Sequence, residues 1–100
     1  MTIRHVVLFD YAPEAAESEI AAVVDGLNAL PAKIPEILDW SLTEDLGKRP
    51  GSFRFCLIAH FEDMAAMERY LAHPEHEKAV ARALPILTTR AEHDPAASFI

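Results

Sequence analysis

The chain has 100 residues, of which 51% are apolar and 25% charged, and it carries a formal net charge of −7. That length suits a single domain over residues 1–100, and the apolar share is enough for a core, so neither two domains nor a disordered chain is expected. The acidic balance argues against nucleic-acid and anionic-membrane partners, which need basic surface, and it disfavours an anionic ligand unless a local pocket overrides the global field.

Ile3 to Tyr11, "IRHVVLFDY", reads as a strand, rich in β-branched and aromatic residues and closed by Pro13. Alternation places His5, Val7, Phe9 and Tyr11 on one face and Arg4, Val6, Leu8 and Asp10 on the other. Both faces are apolar at the centre, which predicts cover on both sides. The acidic run "PEAAESE" then suits the positive end of a helix with Ser18 as N-cap, and Ile20, Val23, Val24, Leu27 and Leu30 recur at helical spacing. Pro31 and Pro35 are expected to stop that helix.

A second strand is expected over Ile37 to Leu46, with Leu38, Trp40 and Leu42 sharing a face, followed by a turn at "GKRPGS". Phe53 to Phe61 gives the clearest strand: Phe53, Phe55, Leu57, Ala59 and Phe61 alternate with Arg54, Cys56, Ile58 and His60. "EDMAAMERYLAH" predicts a helix capped by Asp63, with Met64, Met67 and Leu71 on its buried side and Tyr70 beside them. Beyond Pro74 a second helix runs through Val80, Leu84 and Leu87, disturbed at Pro85, and a weak last strand lies in the tail "AEHDPAASFI", where Pro95 fits only an edge.

The order β-α-β-β-α-β, with the last helix split, predicts an α+β, ferredoxin-like fold: one antiparallel sheet with helices on one face. The apolar residues of the other face need a cover, and the simplest is a second copy of the chain, which predicts a homodimer packed sheet to sheet. Cys56 is the sole cysteine, so no disulfide forms within the chain, in keeping with a reducing cytoplasm. The segment "MTIRHVVLFDY" lacks the pattern of a cleaved leader, and no run approaches the ~20 apolar residues of a membrane span, so a cytoplasmic location is expected.

The stretch "YLAHPEH", Tyr70 to His76, concentrates the chemistry. Pro74 biases His73 away from helical backbone, making it a corner or cap residue, and itself fits the first position of the next helix. His76 then falls in that helix's first turn, where the dipole disfavours imidazolium, while Glu75 and Glu77 favour it; the sign of its pKa shift stays open. A neutral imidazole suits a general base. Tyr70 on the inner face of its helix needs a hydrogen-bond partner, and His5 on the first strand is a candidate, so His5, Tyr70 and His76 are expected to converge. Against this stands a plain reading in which His5 and His76 are structural. His60 is expected on a sheet face or interface and His93 in solvent.

His73 and His76 are three apart, but Pro74 breaks the helix that would align them and no carboxylate sits at ligand spacing, so no metal is expected. Cys56 has no evident activator, and Gly26, Gly47 and Gly51 make no phosphate loop, so no cofactor is expected either. Met64 and Met67 read as core.

The segments "IRHVVLFDY", "LNALPAKIPEILDWSL" and "FCLIAHFEDMAAMERYLAHPEHEKAV" resemble the stress-responsive α/β-barrel (Dabb) family across nearly the whole chain, most specifically in "HVVLF" and "YLxHPxH". The resemblance implies a ferredoxin-like monomer that pairs into a dimeric α/β barrel. A plant polyketide cyclase of that family closes a linear polyketide thioester by aldol condensation without a cofactor, and its pattern matches His5, Tyr70 and His76. By that resemblance His76 is the general base, and His5 and Tyr70 orient or polarise a substrate carbonyl. The tail, with "HDP" inside it, departs from the regular last strand of such proteins.

The expected pocket lies between sheet and helices, with Val7, Phe9, Leu27, Met67, Val80 and Leu84 against a small, largely apolar carbonyl compound. Cofactor-free cyclisation, aldol or isomerisation chemistry is the leading expectation. A non-catalytic stress-response or ligand-binding dimer is the second, and a cofactor-independent monooxygenase the third.

Overall fold

A computed structural model describes residues 2–97. Its elements are β1 (Thr2–Tyr11), α1 (Glu17–Asn28), α2 (Leu30–Lys33), β2 (Asp39–Glu44), β3 (Phe55–Phe61), α3 (Met64–Ala72), α4 (Pro74–Ala83), a 3₁₀ turn (Leu84–Ile86), β4 (Leu87–His93) and β5 (Ala96–Ala97). The sheet runs β2-β3-β1-β4 with β5 also on β1, and every pairing is antiparallel. This is the ferredoxin-like arrangement, with the helices on one face. Among the described residues no helix is long and apolar enough to cross a membrane.

The period-2 pattern of β1 and β3 produces the core. His5, Val7, Phe9 and Tyr11 stand beside Ala59, Leu57 and Phe55 on the helix-facing side, because directly paired residues share a face. The helices lay Ile20, Val23, Leu27, Leu30, Ile34, Ala66, Met67, Tyr70 and Ala83 over them. The opposite face carries Val6, Leu8, Cys56 and Ile58, all only partly buried. There Arg4 Nε donates to His60 Nε2 at 3.2 Å, and the buried His60 ring has its Nδ1 3.4 Å from Asp39.

Several boundaries differ from the sequence reading. Helix α1 starts before Ser18: Ala16 is its N-cap and Glu19 reaches back to the Ala16 N–H. Pro31 does not end a helix but opens the short α2, in keeping with a residue that has no N–H to lose there. Strand β2 is trimmed to Asp39–Glu44, leaving Leu38 59% exposed ahead of it. Strand β3 starts at Phe55 because the Arg54 N–H is taken by the Asp10 carboxylate at 2.7 Å.

Asp63 caps α3 as expected, accepting from the Ala66 N–H. That helix buries Ala66, Met67 and Tyr70, whereas Met64 and Leu71, expected on its buried side, are exposed. Helix α4 stops at Ala83, since Pro85 cannot continue the bonding, and Leu87 opens a strand. The last long strand is therefore Leu87–His93, which starts four residues before the tail "AEHDPAASFI" and shares Ala91–His93 with it. Pro95 sits outside the ladder, its carbonyl accepting from the Arg4 N–H at 3.0 Å, and only Ala96–Ala97 returns to β1; the rest of the expected tail strand, residues 98–100, lies outside the described residues.

Ile34 has no exposed surface. Ile34→Ala is expected to lower stability by about 2–5 kcal/mol, the cost of lost burial plus a residual cavity. Urea unfolding should show a lower midpoint with unchanged slope. A loss below about 0.5 kcal/mol would show that the α2 segment is not part of the core.

Candidate active site

Three elements bring the ring residues together. Strand β1 holds His5 3% exposed, α3 holds Tyr70 1% exposed, and the first turn of α4 supplies half-buried His76. The Tyr70 ring lies 6.0 Å from the His5 ring and 4.5 Å from that of His76, centroid to centroid. Phe61, at 4.8 Å, and Trp40, at 6.4 Å, hold Tyr70 from its other sides.

The corner that presents His76 is built as the sequence implies. His73 ends α3 and caps α4, its Nδ1 accepting from the Glu75 N–H at 3.1 Å. Pro74 opens α4. His73 is thus committed to the backbone, which leaves His76 as the chemically available histidine of the pair.

The tautomers follow from the partners. His76 Nδ1 lies 3.0 Å from the Leu71 carbonyl, which can only accept, so Nδ1 carries the proton and Nε2 the lone pair. His5 Nδ1 lies 2.5 Å from the Asp94 carboxylate, which also accepts, so His5 likewise keeps Nε2 uncommitted. Asp94 was not singled out from the sequence. It follows β4 immediately, and the β1–β4 register (Val6 opposite His93) carries it to His5.

A cavity of about 260 Å³ opens between the sheet and the helices. His5, Tyr70 and His76 line it together with Val7, Phe9, Leu27, Leu57 and Val80. Of the other residues expected there, Met67 is buried in the core and Leu84 is 54% exposed on the 3₁₀ turn; neither lines this cavity. Leu71, Ala83, Leu87, Arg90 and Glu92 complete the wall.

Burial pushes the His76 imidazole below its ordinary pKa, outweighing the Leu71 carbonyl and the Glu77 and Glu92 charges, while His5 adds to the depression. The direction left open by the sequence is thereby decided: the ring is neutral near pH 7. Burial, reinforced by the Glu92 charge, drives the Tyr70 phenol well above its ordinary value, so it is a donor and not a base. Among the described residues its hydroxyl makes no hydrogen bond to the protein. The site therefore offers a neutral base, an uncommitted phenolic donor and a second imidazole held by a carboxylate. Among the described residues no three His, Cys, Asp or Glu side chains are placed to hold a metal ion.

The profile of the stress-responsive A/B barrel domain, Dabb, matches residues 3–96. The chain belongs to the Dabb family. An uncharacterised protein of Streptomyces coelicolor is 32% identical over 81 residues, covering 79% of this chain and 84% of its own. A solved structure of a dimeric ferredoxin-like protein of unknown function from Thermobifida fusca is 31% identical, covers 97% of this chain and 92% of that one, and superposes with a TM-score of 0.87. The hydroxynitrile lyase of Passiflora edulis shares the fold at a TM-score of 0.86 over 99% of this chain and 97% of its own, with 18% identity. The fold thus occurs in proteins both with and without an assigned reaction.

A depressed His76 pKa has a signed effect on stability. The unfolded ring takes up its proton near pH 6.5, before the folded ring does, so folded-state stability is complete above that pH and falls as the pH drops below it. His76→Gln removes this contribution. Urea unfolding at pH 7.5 and 5.5 should show the variant losing less stability than the wild type over that interval, and an equal loss would contradict the burial-driven shift.

Proposed function

We propose that this Dabb protein is a cofactor-free acid–base catalyst acting on a small, largely apolar carbonyl compound, in the class of aldol, cyclisation or isomerisation reactions. The observation that carries the reading is the convergence, on one apolar cavity, of a neutral imidazole with a fixed lone pair and a phenol with a free donor. His76 Nε2 takes the proton α to the carbonyl. The Tyr70 hydroxyl donates to the carbonyl oxygen as charge develops on it, in a site where burial strengthens that contact. His5, oriented by Asp94, presents its Nε2 to the same ligand and fixes its pose. The proton then returns from His76 to carbon or oxygen according to the product, so the cycle balances with no outside reagent.

The lyase chemistry of the Passiflora edulis protein supports the class, since that protein has the same fold and acts as a lyase. The specific substrate is not implied by it.

The reading extends to assembly. The partly buried Val6, Leu8, Cys56 and Ile58 form an apolar strip on the sheet face away from the helices, and the 31%-identical Thermobifida fusca protein is dimeric. A homodimer that packs these faces together follows.

Acetophenone in D₂O provides the test of the chemistry. The protein should speed exchange of its methyl protons, followed by NMR; His76→Ala should reduce the enzymatic rate by about 10²–10⁴-fold and Tyr70→Phe by about 10²–10³-fold. Exchange no faster than in buffer, or unaltered by His76→Ala, sinks the proposal in favour of a non-catalytic binding protein. For the assembly, light scattering at micromolar concentration should give about 22 kDa, twice the 11.1 kDa chain mass; a mass near that of one chain would refute the dimer.

A further inference from the structure

The cavity's fourth wall is not apolar. Strand β4 pairs with β1 so that Arg90 stands beside Phe9 and Glu92 beside Val7, on the face turned to the helices. Both side chains line the cavity and both are exposed, which places them at its rim. Arg90 is the one Lys or Arg among the described residues lining it.

Arg90 is also uncommitted. Arg4 donates to His60, Arg54 to Glu17 and Glu44, and Arg69 to Glu36. Among the described residues Arg90 makes no hydrogen bond or ion pair, although Glu92 follows two positions later on the same face. A guanidinium offers five donors in a planar fork suited to a carboxylate, so one with no partner among the described residues defines, on the cavity wall, an anchor point for an anion.

Glu92 supplies the direction. It stands beside Val7, one inward position nearer His5 than Arg90, which stands beside Phe9, and by like charge it turns an anionic group away from the His5 side. Along β1 the separation from His5 to Phe9 is four residues, about 13–14 Å at ~3.4 Å per residue. The Arg90 side chain takes part of that span, and the imidazole and phenol take another part. One ring or a short chain fits between the anionic group and the reacting carbon.

We infer that the ligand of this site is a small apolar carbonyl compound that also bears a carboxylate, held by Arg90 at the rim with its carbonyl turned inward to Tyr70 and His76. The inference rests on the proposed acid–base reading and names the substrate class for it. Arg90 acts as the specificity residue and Glu92 as the orienting one. The local cation reverses, at this one opening, the disfavour that a net charge of −7 creates for anions. Charges on the inward side of an edge strand also guard against sheet-to-sheet association, a role that either sign of charge fills; anchoring a carboxylate needs the positive one.

The test compares 4-acetylbenzoate with its neutral partner 4-acetylbenzamide, titrated by NMR into the isotopically labelled protein at pH 7.5. The acid should bind about tenfold or more tighter, as one charge-assisted contact supplies. Arg90→Leu should remove that preference, and an unchanged, well-dispersed amide spectrum of the variant certifies the fold. Arg90→Glu, which keeps a charge on the edge, should invert it. Equal binding of acid and amide by the wild type, or a preference that survives Arg90→Leu, overturns the inference. Failure of both compounds to shift cavity resonances overturns it together with the ligand site. Acetophenone exchange without any charge preference would overturn the anchor and leave the acid–base reading standing; a preference for the acid without exchange would do the reverse.

Discussion

Strand β1 is hydrogen-bonded along both edges, to β3 on one side and to β4 and then β5 on the other. That double pairing fixes its pleat, because a slip by one residue would turn His5, Val7, Phe9 and Tyr11 out of the core all at once. Everything the helices contribute is measured against this strand. Tyr70 comes down on it from α3, α4 swings His76 toward it, and the residue after β4, Asp94, reaches its His5. The cavity remains because the rings of His5, Tyr70 and His76 meet near one end of the strand while Phe9, Tyr11 and Phe55 pack one another near the other, at 5.4 to 5.8 Å.

The two cavity histidines illustrate how an identical side chain acquires direction from its backbone surroundings. Each gives its Nδ1 proton to an oxygen that can only accept, a main-chain carbonyl in one case and a carboxylate in the other. Their Nε2 atoms make no hydrogen bond to the described residues. A phenol kept protonated by burial stands between them. His60, by contrast, lies on the far face with Arg4 and Asp39, where its Nε2 is already occupied. The histidines of the two faces therefore differ in which nitrogen the neighbours consume.

Much of this was legible in the residues. The alternation of β1 and β3 survives because both strands are buried on the helix side and half-covered on the other, and the Asp63 and His73 caps were readable from their positions before helices. The "YLAHPEH" corner gave up the division of labour between His73 and His76 through proline's backbone rules alone. Strand β4 was not legible. Its sequence "LTTRAEH" lacks apolar alternation because its inward residues face a cavity and not a core, so the expected strand began only at Ala91. Asp94 was missed with it, and so were Arg90 and Glu92. The position of Asp94 directly before Pro95, which favours extended backbone, was the available signal. The His76 shift could not be signed from sequence because its largest cause, burial, is a property of the packed chain.

The His5–Asp94 contact joins residues 89 apart in the sequence. Closing so long a loop is entropically costly and late, since it cannot form until the strands between are in place. Residues 2–93 include all three ring side chains but not the carboxylate that orients the first of them. On a ribosome delivering the chain N-terminus first, the His5 imidazole must wait for a carboxylate made 89 residues later. The orientation of the site is thus coupled to completion of the sheet, and partly folded chains that already carry Tyr70 and His76 lack it.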